Sequence, residues 1–150
     1  MDEIIPGTQI NPDLERVQQL EAQMLQMPQL ELETRHLIHG GMYARTIFLP
    51  AGTAAVGALL NLDNICIIAG DMSVTTDDGP VRLTGYHVLS ASAGFKRIGY
   101  AHTDTYLTTL YPTTLTTVAE IEDEMTDEAD RLQTRRAALR QQDISLIEGE

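Results

Sequence analysis

A chain of 150 residues with 43% hydrophobic and 21% charged residues has the make-up of one globular domain, which excludes a chain disordered throughout. Its net charge of −12, with Lys96 the only lysine, sets the surface against phosphate backbones and argues against direct nucleic-acid binding. No apolar run approaches the roughly 18 residues of a membrane span, and no cationic segment precedes a hydrophobic one, so neither a membrane segment nor a signal peptide is expected.

Residues 1–10 carry Pro6 and Gly7 without periodicity and are expected to form a flexible N-terminal arm. A helix is expected over 11–27. Asn11 offers the N-cap, Pro12 the first helical position, and Pro28 ends the element. Leu14, Val17, Leu20 (or Glu21) and Met24 recur at spacings of three and four, giving one apolar stripe that has to cover a barrel or a partner.

A β-barrel is expected over 28–116. Leu30 and Leu32 alternate with polar neighbours over Gln29–Thr34, and Gly40-Gly41 reads as a turn. Strands are then expected near Met42–Leu49, Thr53–Leu60, Asn64–Ala69, Met72–Thr76, Val81–Thr84, His87–Ala91, Lys96–His102 and Tyr106–Tyr111. Turns fall at Pro50-Ala51-Gly52, Asp77-Asp78-Gly79 and Ser92-Ala93-Gly94. Short strands at such close intervals indicate a sandwich or closed barrel.

A long C-terminal helix and tail is expected over 117–150. Thr117 with Glu120 makes a capping box, and Val118, Met125, Leu132, Leu139 and Leu146 fall seven apart, half of a coiled-coil seam. Acids (Glu120, Glu122, Asp123, Glu124) fill its first half as a solvated face, and Asp127–Arg131 offers an i,i+4 pair. Leu14, Val17, Met24, Val118, Met125, Leu132 and Leu139 are therefore the candidate interface residues.

Three phrases, YARTIFLPAGT (Tyr43–Thr53), AGDMSVTTDDG (Ala69–Gly79) and SASAGFKRIGYAHTDT (Ser90–Thr105), follow in an order that resembles the cupin superfamily. More narrowly they are similar to small cupin-like proteins encoded beside structural genes of tailed bacteriophages. The resemblance spans about residues 36–112. It implies a mainly β fold, a cupin-like jelly-roll barrel flanked by the N-terminal helix and the long C-terminal helix. The metal-ligand positions of the cupin motifs depart from the pattern. Asp63 falls at the place of the motif glutamate, and no histidine lies between Val56 and Asp63. In the second motif Ser92, Arg97 and Ala101 replace the proline, histidine and asparagine. With no imidazole ligand, no metal and no cofactor is expected.

His36 and His39 make an isolated HxxH without a third ligand and read as unliganded. His102 with Asp104 and a tyrosine (Tyr106, with Tyr100 and Tyr111 as alternatives) is the one candidate acid–base set, of the kind that metal-free sugar epimerases of the superfamily use. Arg45, Arg82 and Arg97 lie on expected strands. If two face the interior they suit an anionic ligand such as a sugar phosphate, and if they face outward they suit salt bridges to a neighbouring acidic subunit. Cys66, within an apolar stretch, reads as an inert buried thiol.

These readings lead to an expectation of a non-enzymatic decoration or connector protein of a tailed-phage virion, at the capsid surface or the head–tail junction. It would be made in the host bacterial cytoplasm and assemble as a homo-oligomer, with capsid, portal or tail proteins as further partners. The alternatives are a metal-free sugar isomerase or epimerase and a carbohydrate-binding jelly roll. The absence of Trp, with only five Tyr and two Phe, weakens the last.

Overall fold

Between Thr34 and Pro112 the chain is rich in β-branched and aromatic residues at alternating positions, and this stretch supplies the seven strands found among the described residues. The structure is a computed structural model and describes residues 14–26, 31–76 and 79–132. Helix α1 (Leu14–Met24) precedes β1 (Thr34–His39), β2 (Met42–Leu49), β3 (Ala54–Val56), β4 (Asn64–Thr76), β5 (Gly79–Ala91), β6 (Ile98–Ala101) and β7 (Thr105–Pro112). Helix α2 (Val118–Met125) and a 3₁₀ turn (Ala129–Arg131) follow. The strands form one antiparallel sheet in the order β1-β2-β7-β4-β6-β3, with β5 along the remaining edge of β4. The sheet curls into a half-barrel.

Strand β4 organises this sheet. Its first half pairs with β7 (Ile65 opposite Leu110), its second half with β6 (Met72 opposite Ala101), and β5 follows it throughout. The change of neighbour falls at Gly70, whose φ of 148° suits glycine, and a Cβ there would lie 2.8 Å from the Asp104 carbonyl oxygen. Strand alternation then sorts the side chains. Cys66, Ile68, Met72 and Val74 face the concave side with Leu49, Leu83, Leu89 and Ala101 and form the main core. Tyr43, Tyr111, Ile121 and Met125 form a second cluster beneath α2.

Several expected elements changed on folding. The pairs of strands expected over 64–76 and 79–91 are single thirteen-residue strands, because a bend at Gly70 opposite Gly85 keeps the ladder intact. The strand expected over Gln29–Thr34 lies later, at Thr34–His39, where it pairs with β2. Strand β3 is shorter than expected and leaves residues 57–63 as an irregular arm that hydrogen-bonds to the C-terminal segment. The barrel interior is continuous with these loops.

Among the described residues the long C-terminal helix is not present, and 133–150 lie outside them: α2 ends at Met125 with Thr126 in an extended conformation. Tertiary hydrogen bonds replace the helical ones there. Thr126 Oγ1 donates to the Leu59 carbonyl (2.6 Å) and accepts from the Glu128 amide (3.1 Å), while the Met125 carbonyl accepts from the Asn61 amide (2.7 Å). The N-cap half of the capping box stands, with Thr117 Oγ1 accepting from the Glu120 amide, while the Glu120 carboxylate accepts from the Thr117 hydroxyl (2.6 Å). The Asp127–Arg131 pair does not form. Asp127 accepts from Asn61 Nδ2 and Arg131 turns to Glu128. The expected arm over 1–10, the N-cap at Asn11, the Asp77-Asp78 turn residues and Leu139 lie outside the described residues.

Both ends of the described chain meet at Lys96. Its ammonium is 1% exposed and lies 2.8 Å from a carboxylate oxygen of Glu21 on α1 and 2.8 Å from one of Glu128 beside the 3₁₀ turn. Burial raises the Glu128 pKa, but hydrogen bonds from Lys96 and the Leu59 amide outweigh it and leave the carboxyl below its ordinary value. A group depressed in the folded state adds stability above its unfolded pKa of about 4.3 and loses it as pH falls through the lower folded value. Acid unfolding is therefore expected to begin with loosening of the Glu128 segment from Lys96 below the ordinary glutamate range. Lys96→Met leaves two facing carboxylates and is expected to cost about 3 kcal/mol, read by urea unfolding together with lost amide protection over Leu14–Met24. An unchanged midpoint and protection pattern would show that α1 is held by Val17 alone.

Candidate functional site

The concave face of the sheet encloses a cavity of about 1220 Å³. Its floor comes from inward positions of neighbouring strands, among them Ile47, Leu49, Ile68, Met72, Val74 and Leu107. The register fixes this set, since Ile47 stands opposite Leu107 and Leu107 opposite Ile68. Helix α1 brings Glu21, Met24 and Leu25 to the rim, and the 3₁₀ region brings Glu128 and Arg131. The Lys96 clasp thus holds the rim in place.

Two guanidinium groups reach this mainly apolar interior. Arg45 on β2 is buried and donates from Nη1 to Glu122 Oε2 on α2 (2.9 Å) and to the Tyr43 hydroxyl (3.2 Å). The Tyr43 hydroxyl accepts from Arg45 and shares a hydrogen bond of 2.7 Å with His36 Nδ1. Burial pushes the His36 pKa down, helped by the Arg45 charge. Burial likewise raises the pKa of Tyr43, opposed by Arg45, and that of Tyr111, which packs edge-on against Tyr43. His36, Tyr43, Arg45 and Glu122 form a rigid strut between sheet and helix. Glu122, expected on a solvated face, is 2% exposed.

Arg97 is the second guanidinium. It precedes β6 and lines the cavity. Burial lowers its pKa, with the neighbouring Cys66 acting in the opposite sense, yet an arginine keeps its charge. In the sequence, Arg97 stands where the resemblance places a motif histidine. Arg82 faces outward instead and grips Asp71 with two hydrogen bonds (2.9 and 2.7 Å), which hold the Asp71 pKa below its ordinary value. Two of the three arginines therefore line the interior.

The expected acid–base set is not brought together in the cavity. His102 Nε2 lies 2.7 Å from Ser73 Oγ on the outer side of the sheet, and Asp104 accepts from the Ala51 amide (2.9 Å). Tyr106 packs against Phe48 on the outer face. None of the three lines the interior. His36 and His39 lie three apart on a strand, which puts them on opposite faces. Asp63 accepts from the Ala93 amide and shapes that turn. The cavity wall carries no histidine, and among the described residues no three His, Cys, Asp or Glu side chains converge. This donor set does not fit the metal of the cupin motifs.

Of the candidate interface residues, Val17 and Met125 are buried within their own chain, Leu132 packs on the Tyr43–Tyr111 cluster, and Met24 lines the cavity. Leu14 and Val118 are half-buried. Sequence reasoning missed Glu21, Lys96, Glu122 and Glu128 as partners. That Lys96 is the only lysine of the chain was the one signal that bore on them.

An antiparallel half-barrel around a ligand-sized interior is the architecture of the cupin jelly roll. The ectoine synthase from P. lautus superposes with a TM-score of 0.50 at 18% identity, over 65% of this chain and 75% of that one. A cupin superfamily protein from Desulfitobacterium hafniense DCB-2 gives 0.47 at 14% identity, over 61% and 86%. The Schizosaccharomyces pombe Cnp3 cupin domain gives 0.45 at 19%, over 57% and 68%. No protein-family model matches the chain and no curated protein matches it in sequence. The likeness to the ectoine synthase supports the fold. It overturns the expectation that the chain is not an enzyme, since an enzyme is built on this fold. The phage resemblance rests on the three quoted phrases. Among the described residues no helix is long and apolar enough to cross a membrane.

Burial pushes the Cys66 thiol up to about 11, against a smaller opposing effect of Arg97. The thiolate fraction at pH 8 is then small and the sulfur is enclosed. Cys66 is expected to resist an aromatic disulfide reagent at pH 8 in the folded protein and to react at once in denaturant. Rapid native labelling would show that the cavity admits bulky solutes to its wall.

Proposed function

We propose that the barrel is a receptor for a small organic anion with an aliphatic body, bound in the cavity with its acidic group toward Arg97. One observation carries this reading: a cavity of about 1220 Å³ that is apolar over most of its wall but holds the guanidiniums of Arg45 and Arg97, with Arg131 and the acids Glu21, Glu128 and Asp130 also in its lining. Arg45 is held by Glu122 at 2.9 Å, and Arg97 carries a second guanidinium on the inner wall beside Cys66, where its charge would attract a carboxylate. Small-molecule sites share this design of an apolar wall with few polar groups to fix orientation. The apolar floor favours an alkyl chain over a sugar, so the carbohydrate readings lose support. Binding of medium-chain alkyl carboxylates, followed by calorimetry, is expected to weaken at least tenfold in Arg97→Met. The matching alkyl alcohols should bind the two proteins alike. Absence of binding by acids and alcohols together would remove the reading.

The phage-like phrases support a second reading, a homo-oligomeric component of a tailed-phage virion that contacts capsid, portal or tail proteins. It is compatible with a ligand in the barrel. Mass spectrometry of purified particles is expected to find the chain at a fixed stoichiometry to the major capsid protein. Its absence from intact particles would end that reading.

A further inference from the structure

The convex side of the sheet is apolar and uncovered. Leu37 is 63% exposed, Val88 54% and Tyr86 69%, and Ile65 and Tyr106 are also exposed. The ladder joins them into rows. Leu37 leads through Ala44 and Leu110 to Ile65, and Thr46 leads through Thr108 and Ile67 to Val88. Phe48 leads through Tyr106 and Ala69 to Tyr86. Such a face across five strands amounts to several hundred Å² of apolar surface, beyond scattered hydrophobics and near the area of one side of a stable dimer.

The charges on these rows are already matched. Arg35 lies 2.8 Å from Glu33 at one end, and Asp71 is held by Arg82 at the other. On a chain of net charge −12, two copies repel over most of their surface and can approach where the surface is neutral and apolar. A basic partner would find no acidic target in these rows. We infer that this convex face is the interface of a homodimer, in which a second copy packs sheet on sheet about a two-fold axis. In an isologous contact the aromatic end of one face (Tyr86, Tyr106) meets the aliphatic end of the other (Leu37, Ile65), with the threonine–valine row between them. The cavity opens on the opposite side of the sheet, so the proposal does not rest on what the cavity binds. It moves the expected self-association from the helices, whose apolar residues are largely used within the chain, to the strands.

The test is the solution mass of the full chain by light scattering across a dilution series. A dimer is expected for the unaltered protein, and Val88→Glu, which places a charge at an exposed position, should weaken it more than a hundredfold. Leu25→Glu on α1 should leave it unchanged. Circular dichroism reports whether Val88→Glu keeps its strands; should it unfold, Val88→Ser, with a smaller expected loss of about tenfold, replaces it. A monomer at all concentrations, or a dimer insensitive to both Val88 changes, overturns the assignment.

Discussion

The buried ammonium of Lys96 is the contact on which the architecture depends. A lone charge in this position would be costly to desolvate, and it is tolerated because two carboxylates from distant parts of the chain close around it. One belongs to the helix that precedes the sheet and the other to the segment that follows it. The half-barrel is open by construction, since β5 and β1 do not pair with each other. The clasp compensates by tying helical ends across the opening, and the cavity rim is the product of that tie.

The same arrangement recurs at Arg45. Its partner Glu122 comes from α2, so the second buried ion pair also joins a strand to a terminal segment. Buried pairs add little net stability compared with apolar packing, but they are directional. In this fold they set where α1 and α2 sit on a sheet whose own hydrogen bonds say nothing about either. Interior volume, rim and polarity then follow from two ion pairs and the strand register.

Much of the β-structure was legible because strand patterning is local. Strand β2 fell where alternation and the flanking Gly41 and Pro50 placed it, and the Gly40-Gly41 turn was read from composition. The longer β4 and β5 were not read as units, because Gly70 and Gly85 look like turn residues until they face each other across a ladder. The C-terminal seam misled for a related reason. Its seven-residue spacing is a property of the sequence, whereas the end of α2 is set by Leu59 and Asn61, far away in the chain. The cavity itself was half legible: three arginines on strands were visible, but which of them turned inward depended on register. The acidic residues were read as a solvated face since nothing nearby in sequence reveals that Arg45 waits for Glu122.

The Lys96 clasp also fixes an order of assembly. The β4–β5 hairpin joins residues close in sequence and has little loop entropy to overcome. Glu21 and Glu128 stand near opposite ends of the described chain, so their shared contact has the larger loop entropy to overcome. During synthesis the sheet can form while residue 128 has yet to emerge, which would leave the interior accessible until that residue arrives. A molecule captured in that interval would be enclosed by translation itself, with no later opening required.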